Sequence, residues 1–123
     1  MNTSAKQVPV AVERAQGLWV EIDARVQQWP RSARPLLGDR VVRASHDLLE
    51  ALLRATYARG AEATAQHLAN AGHHAAMLRL LLRGAHARRY LAPDAHEHVQ
   101  RSLHEIGAMI GGWTRDAKAR SRD

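Results

Sequence analysis

Four prolines, at positions 9, 30, 35 and 93, set where this chain can be helical. Proline lacks the N–H that a helix interior needs, and it turns the preceding residue away from helical dihedrals. No proline lies between Pro35 and Pro93, so that long segment is divided only by glycines. Composition decides what it does with that freedom. The chain holds 23 Ala and 14 Leu against 8 Val and 3 Ile, with no Phe. Strands draw on β-branched and aromatic residues, whereas helices favour Ala, Leu and Arg.

A first helix is expected from about Val10 to Gln28. Val12, Ala15, Trp19, Ile22, Val26 and Trp29 follow one another at alternating spacings of three and four, a heptad seam. Pro30 ends it, and the two prolines of WPRSARP predict a non-helical connection. A second helix runs from about Leu36 to Arg59, with Val41, Leu48, Leu49, Leu52, Leu53 and Thr56 facing inward and Gly60 terminating it. The third, about Glu62 to Tyr90, carries two apolar stripes. Leu68, Ala71, Ala75, Leu78 and Leu82 share one side, and Met77, Leu80, Leu81 and Gly84 lie nearly opposite. One stripe suits a bundle core and the other a neighbouring subunit. The alternative is a single wide face distorted at Gly72 or Gly84.

The fourth helix opens on a capping box, with Asp94 as N-cap and Glu97 three residues on. Val99, Leu103, Ile106, Ile110 and Trp113 then form a second heptad seam. Four amphipathic helices with short connections predict an all-α fold, an antiparallel up-down four-helix bundle that assembles as a homo-oligomer. The expected organisation is a flexible N-terminus over 1–9, the bundle over 10–116 and a flexible charged tail over 117–123.

Several chemistries are excluded. Without cysteine there is no disulfide scaffold, thiolate metal site or cysteine nucleophile. The eight histidines lack the Glu-x-x-His and His-x-x-x-His spacings that put ligands on one helical face. No metal or other cofactor is therefore expected. The serines sit outside any G-x-S-x-G elbow, and no phosphate-binding glycine loop occurs, so no enzyme is expected. The mean hydropathy of −0.40 and the lack of a long apolar run or signal segment predict a cytoplasmic protein without a membrane role.

Charge is more informative. Eighteen Lys and Arg against 12 Asp and Glu give +6, and only Lys6 and Lys118 are lysines. No acid lies between Glu62 and Asp94, while Arg79, Arg83 and His86 fall within about 60° of one another on the third helix. Uncompensated guanidinium groups on a rigid helix suit phosphates or an acidic protein surface. The alternatives are a solvated stripe, or pairing with Glu50 or Glu105 inside the bundle. Arg31, Arg34, Arg40 and Arg43 form a second basic cluster, placed against the dipole of the second helix.

Gly107, Gly111 and Gly112 next to Trp113 also require a cause, since each helical glycine costs about 1 kcal/mol relative to alanine. Close helix approach supplies one, and helix termination near Gly112 is the other reading. These residues carry a resemblance. The run from Glu105 to Trp113 reads EIGAMIGGW, which resembles the EIGxxxGGW ending of the accessory variability determinant (Avd) family of diversity-generating retroelements. Ala76–Arg83 resembles that family's third-helix motif, and Pro30-Arg31 through Leu37-Gly38 resembles its first connection.

The resemblance spans roughly residues 15–116 in matching order. It implies a non-enzymatic pentameric barrel that binds a retroelement reverse transcriptase and its template RNA or DNA. Such a protein supports mutagenic retrohoming, in which adenine-templated errors diversify a target gene. Met77, Leu80, Leu81, Gly107, Gly111, Gly112 and Trp113 become candidates for oligomer or helix packing. Proteins encoded in intervening sequences of 23S ribosomal RNA genes share the fold. An interaction bundle of that type, with no nucleic-acid role, is the alternative.

Overall fold

The computed structural model describes residues 8–121, which form four α-helices and no strand. In α1 (Val10–Val26) the inward set is Val12, Ala15, Leu18, Ile22 and Val26. Leu18 takes the position that a strict heptad gives to Trp19, because a helix of 3.6 residues per turn drifts from a 3.5 repeat. Trp19 is half-buried at the edge, its ring set edge-on to His46 with centroids 6.1 Å apart.

The connection after α1 meets the non-helical expectation at residues 27–30, where Pro30 is extended with ψ of 142°, and corrects it beyond that proline. A 3₁₀ turn, Arg31–Ala33, is followed by a π-helical stretch, Arg34–Gly38, that leads straight into α2 (Asp39–Tyr57). Pro35 is tolerated because it stands in the first turn of its stretch, where the missing N–H has no helical acceptor to lose. The N–H of Asp39 reaches back to the carbonyl of Arg34 and closes the wide turn. Gly38 is buried there, and a β-carbon on it would stand 2.8 Å from Val26 Cγ1.

Gly60 does not end α2, which stops at Tyr57. With φ at +91°, it precedes α3 (Ala61–Ala87) instead, and its carbonyl accepts bonds from Thr64 N and Oγ1. That dihedral is open to glycine at little cost. α3 finishes three residues before Tyr90. Arg89 takes φ of 65°, Tyr90 N–H bonds Ala85 O, and Arg89 N–H bonds His86 O, a Schellman ending with arginine where glycine is usual.

α4 (Pro93–Ser121) corrects three further expectations. Pro93 is its first residue, so Asp94 lies inside the first turn and not at the N-cap. Glu97 accepts a bond from Arg101 at 2.9 Å. The helix runs through Gly107, Gly111 and Gly112 without stopping, and Ala117 is buried, so the tail expected to be flexible from 117 is helical to Ser121. Residues 1–7 and 122–123 of the termini expected to be flexible lie outside the described residues.

The helices alternate in direction. Arg14 and Glu21 of α1 meet Glu105 and His98 of α4, and Arg79 and His86 of α3 meet Gln100 and His96 of α4. Each helix packs on its two neighbours around Leu48, Leu52, Leu68, Leu78, Leu82, Leu103 and Ile106, all essentially inaccessible. Leu53, expected inside, is 42% exposed, because Leu52 and Ala55 occupy the inward positions of that turn. Trp29 closes one end, tilted against Tyr90 at 5.5 Å.

Candidate nucleic-acid interface

α3 and α4 together position the first basic cluster. Gln100 of α4 donates to the carbonyl of Arg79 at 3.1 Å, which ties the backbone of that α3 turn to its neighbour. The Arg79 side chain is half-buried and lies across Gly107, while Arg83, one turn on, is exposed. His86 is half-buried, and its Nδ1–H donates to Leu91 O at 3.0 Å.

Among the described residues neither Arg79 nor Arg83 pairs with a carboxylate. The two acids that could have neutralised them are engaged elsewhere. Arg54 binds Glu50 and Arg14 binds Glu105, each at 2.9 Å. The Arg54 hydrogen bond and its charge hold the Glu50 carboxyl below the usual range. Pairing inside the bundle is therefore not what these two arginines do.

The second cluster belongs to the same end of the molecule, because the α1–α2 connection lies beside the α3–α4 turn through Trp29 and Tyr90. Its members divide. Arg34 is half-buried and donates from Nε to the carbonyl of Trp29 at 3.1 Å, so it braces the connection. Arg31, Arg40 and Arg43 are exposed, as are Arg88 and Arg89 in the turn.

The packing candidates also divide. Met77 and Leu80 stand 43% and 57% exposed, whereas Leu81 packs against the core. The three glycines of α4 are not explained by helix contact within the chain. A β-carbon on Gly111 or Gly112 would meet only the Arg115 guanidinium, at 3.6 and 3.8 Å. Trp113 is half-buried and lines an open cavity of about 1230 Å³ with Val10, Ala55 and Met109, at the end opposite the arginines.

Two groupings escaped the sequence pattern. His46, Asp47 and Glu50 bring ligand-type atoms within 4.8 Å of one another on α2, through a His-x-x-x-Glu spacing that a search for paired histidines passes over. Arg54 already occupies the Glu50 carboxylate. The second grouping is His86 with His96, stacked across the α3–α4 turn at 4.3 Å. Burial holds His96 below the usual imidazole range, and the charges of His86 and Arg83 push it the same way. The signal for this pair was its near-symmetric placement about the turn.

No helix among the described residues is long and apolar enough to cross a membrane. A family model described as bAvd-like matches residues 10–117, which takes in all four helices except the last residues of α4. No curated protein and no solved structure matches the chain.

Proposed function

Because this chain belongs to the bAvd-like family, we propose that it is a non-enzymatic accessory protein of a diversity-generating retroelement. In this reading it acts in the cytoplasm as a homo-oligomer, a pentamer by family likeness. It binds the reverse transcriptase and holds template RNA or cDNA close to it during mutagenic synthesis and retrohoming. The observation that supports the reading best is the state of Arg79 and Arg83, which have no acidic partner among the described residues while Glu50 and Glu105 are paired with other arginines.

The mechanism is electrostatic. A rigid helix presents guanidinium groups that bind phosphate oxygens or carboxylates in bidentate fashion. Arg31, Arg40, Arg43, Arg88 and Arg89 extend the same end of the bundle, with His86 between the clusters. Each subunit contributes a net +6, so assembly multiplies the charge and the number of contacts per polyanion. Of the Trp and Tyr residues only Trp29 and Tyr90 lie there, Trp29 is buried, and the rings of His86 and His96 are stacked on each other, so base stacking adds little sequence preference.

The test is binding to a single-stranded RNA oligonucleotide across a salt series, with co-purification of the reverse transcriptase encoded nearby. The log of affinity should fall linearly with log salt. Binding indifferent to salt, or a gene neighbourhood without a reverse transcriptase and paired variable and template repeats, would defeat the reading.

A further inference from the structure

The α3–α4 turn holds two rings that neither the core nor the arginine clusters require. His86, near the end of α3, and His96, in the first turns of α4, stack with centroids 4.3 Å apart and planes 1° from parallel. His86 Nδ1 lies 3.0 Å from Leu91 O. A carbonyl only accepts, so Nδ1 carries a proton and Nε2 is the free nitrogen of that ring. His96 Nδ1 is buried and has no partner. A proton there would face no acceptor, so His96 keeps Nδ1 bare and its proton on Nε2.

The pair therefore has room for one more proton, at His86 Nε2. A second would set two imidazolium rings face to face. The surroundings are cationic. α3 and its turn contribute Arg79, Arg83, Arg88 and Arg89, and the connection and α2 bring Arg31, Arg34 and Arg40 to the same end with the single acid Asp39. On α4, Asp94 and Glu97 stand about 160° and 100° around the helix from His96, and Glu97 is bound to Arg101. Among the described residues neither ring is paired with a carboxylate, the nearest such pair on α4 being His98 with Glu21 of α1, so an arriving anion supplies the acceptor that an additional proton lacks.

We propose that His86 and His96 form a proton-coupled phosphate subsite: a backbone phosphate of a bound nucleic acid draws a proton onto His86 Nε2, which donates to it beside Arg83, while His96 stays neutral and stacks under the charged ring. The proposal rests on the polyanion reading above and adds its regulation by pH. One proton taken up per complex strengthens binding up to tenfold for each pH unit lost through the imidazole range.

The experiment is calorimetric titration of the full chain with a single-stranded oligouridylate, between pH 6 and 8 at constant ionic strength, in buffers of different ionisation enthalpy. The wild-type chain should take up as much as one proton per subunit engaged. His86→Asn keeps an amide donor for Leu91 O but has no Nε2, and it should lose that proton and flatten the pH dependence. NMR of the His86 ring in the unmutated protein gives the second measurement, and its titration should move to higher pH when the oligonucleotide is bound. Equal proton uptake by both proteins, or a His86 titration that ignores the oligonucleotide, overturns the coupling and leaves the binding reading standing. No binding at any pH in low salt overturns both.

Discussion

The guanidinium of Arg79 on α3 lies across Gly107 of α4, with Nη2 3.9 Å from where a β-carbon on that glycine would stand. That separation is ordinary van der Waals contact, so the single chain has room for alanine. Gly107→Ala should therefore raise stability to urea by about 0.5–1 kcal/mol. If subunits approach closely there, the same variant should lose assembly by light scattering while its chain melts later. A drop in stability with assembly intact would show that the glycine serves the fold.

Arg79→Glu with Arg83→Glu should leave the bundle folded, because no buried acid loses a partner. RNA affinity should fall at least tenfold. The salt slope should shrink by about 1.4 if both arginines contact phosphates of a single strand. Early melting of the double variant would return the arginines to a structural role.

Leu80→Glu places a charge on the exposed stripe of α3, where Leu80 is 57% and Met77 43% accessible. Surface changes of this kind shift stability by about 0.5 kcal/mol or less. The expected effect is on mass, with light scattering falling from a multiple of 13.6 kDa to the single chain. A wild-type chain that is already monomeric at micromolar concentration would remove the subunit interpretation of this stripe.

Gly38→Ala tests the joint between α1 and α2. The new β-carbon would sit 2.8 Å from Val26 Cγ1 and 3.4 Å from Ala33 O. Val26 is buried and stiff at χ1, so it gives way poorly. Overpacking should cost about 1–3 kcal/mol in chemical unfolding, beyond the small helical gain from alanine. An unchanged midpoint would mean that the joint relaxes freely.

The His96 imidazole is held below its ordinary value of 6.5 by burial and by the charges of His86 and Arg83. The unfolded chain then binds more protons than the folded one once pH drops toward that value, so stability rises with pH across the window. The full contribution is present above 6.5 and is lost as pH falls through the folded value. Melting temperature should decline between pH 7 and 5, and His96→Phe should flatten that decline. A decline of equal size in the variant would assign it to other histidines. Glu50, held low by Arg54, adds a loss in the same direction only below its ordinary 4.5.

Periodicity makes most of the bundle legible in the sequence, since the buried set of α3, from Leu68 to Leu82, is the stripe that the sequence separates from Met77 and Leu80. Boundaries were less accessible. Pro35 reads as a barrier and Pro93 as lying ahead of the fourth helix, yet both occupy first turns, where the missing N–H costs little. A stop near Gly112 is one of the two readings its glycines allow, but Ala117 one and a half turns on is buried and α4 stays helical. Within the candidate site, Arg79 and Arg83 could be nominated from the missing acids of α3. Their freedom from Glu50 and Glu105 could not, because it depends on where Arg14 and Arg54 reach in three dimensions. His86 and His96 belong to different helices, so no spacing rule within one helix links them.

Four residues, 27–30, part α1 from the helical turns that lead into α2, and only residues 58–60 and 88–92 separate the later helices. Each helix is thus followed across a short connection by an antiparallel neighbour, and only the α1–α4 pairing joins distant parts of the chain, which keeps the mean sequence separation of native contacts small. Chains of this topology fold in roughly microseconds to milliseconds. Subunit association is bimolecular and slows with dilution. If the proposed oligomer forms, newly made chains would accordingly finish folding before they meet, and protein concentration, rather than folding, would pace the appearance of the assembled form.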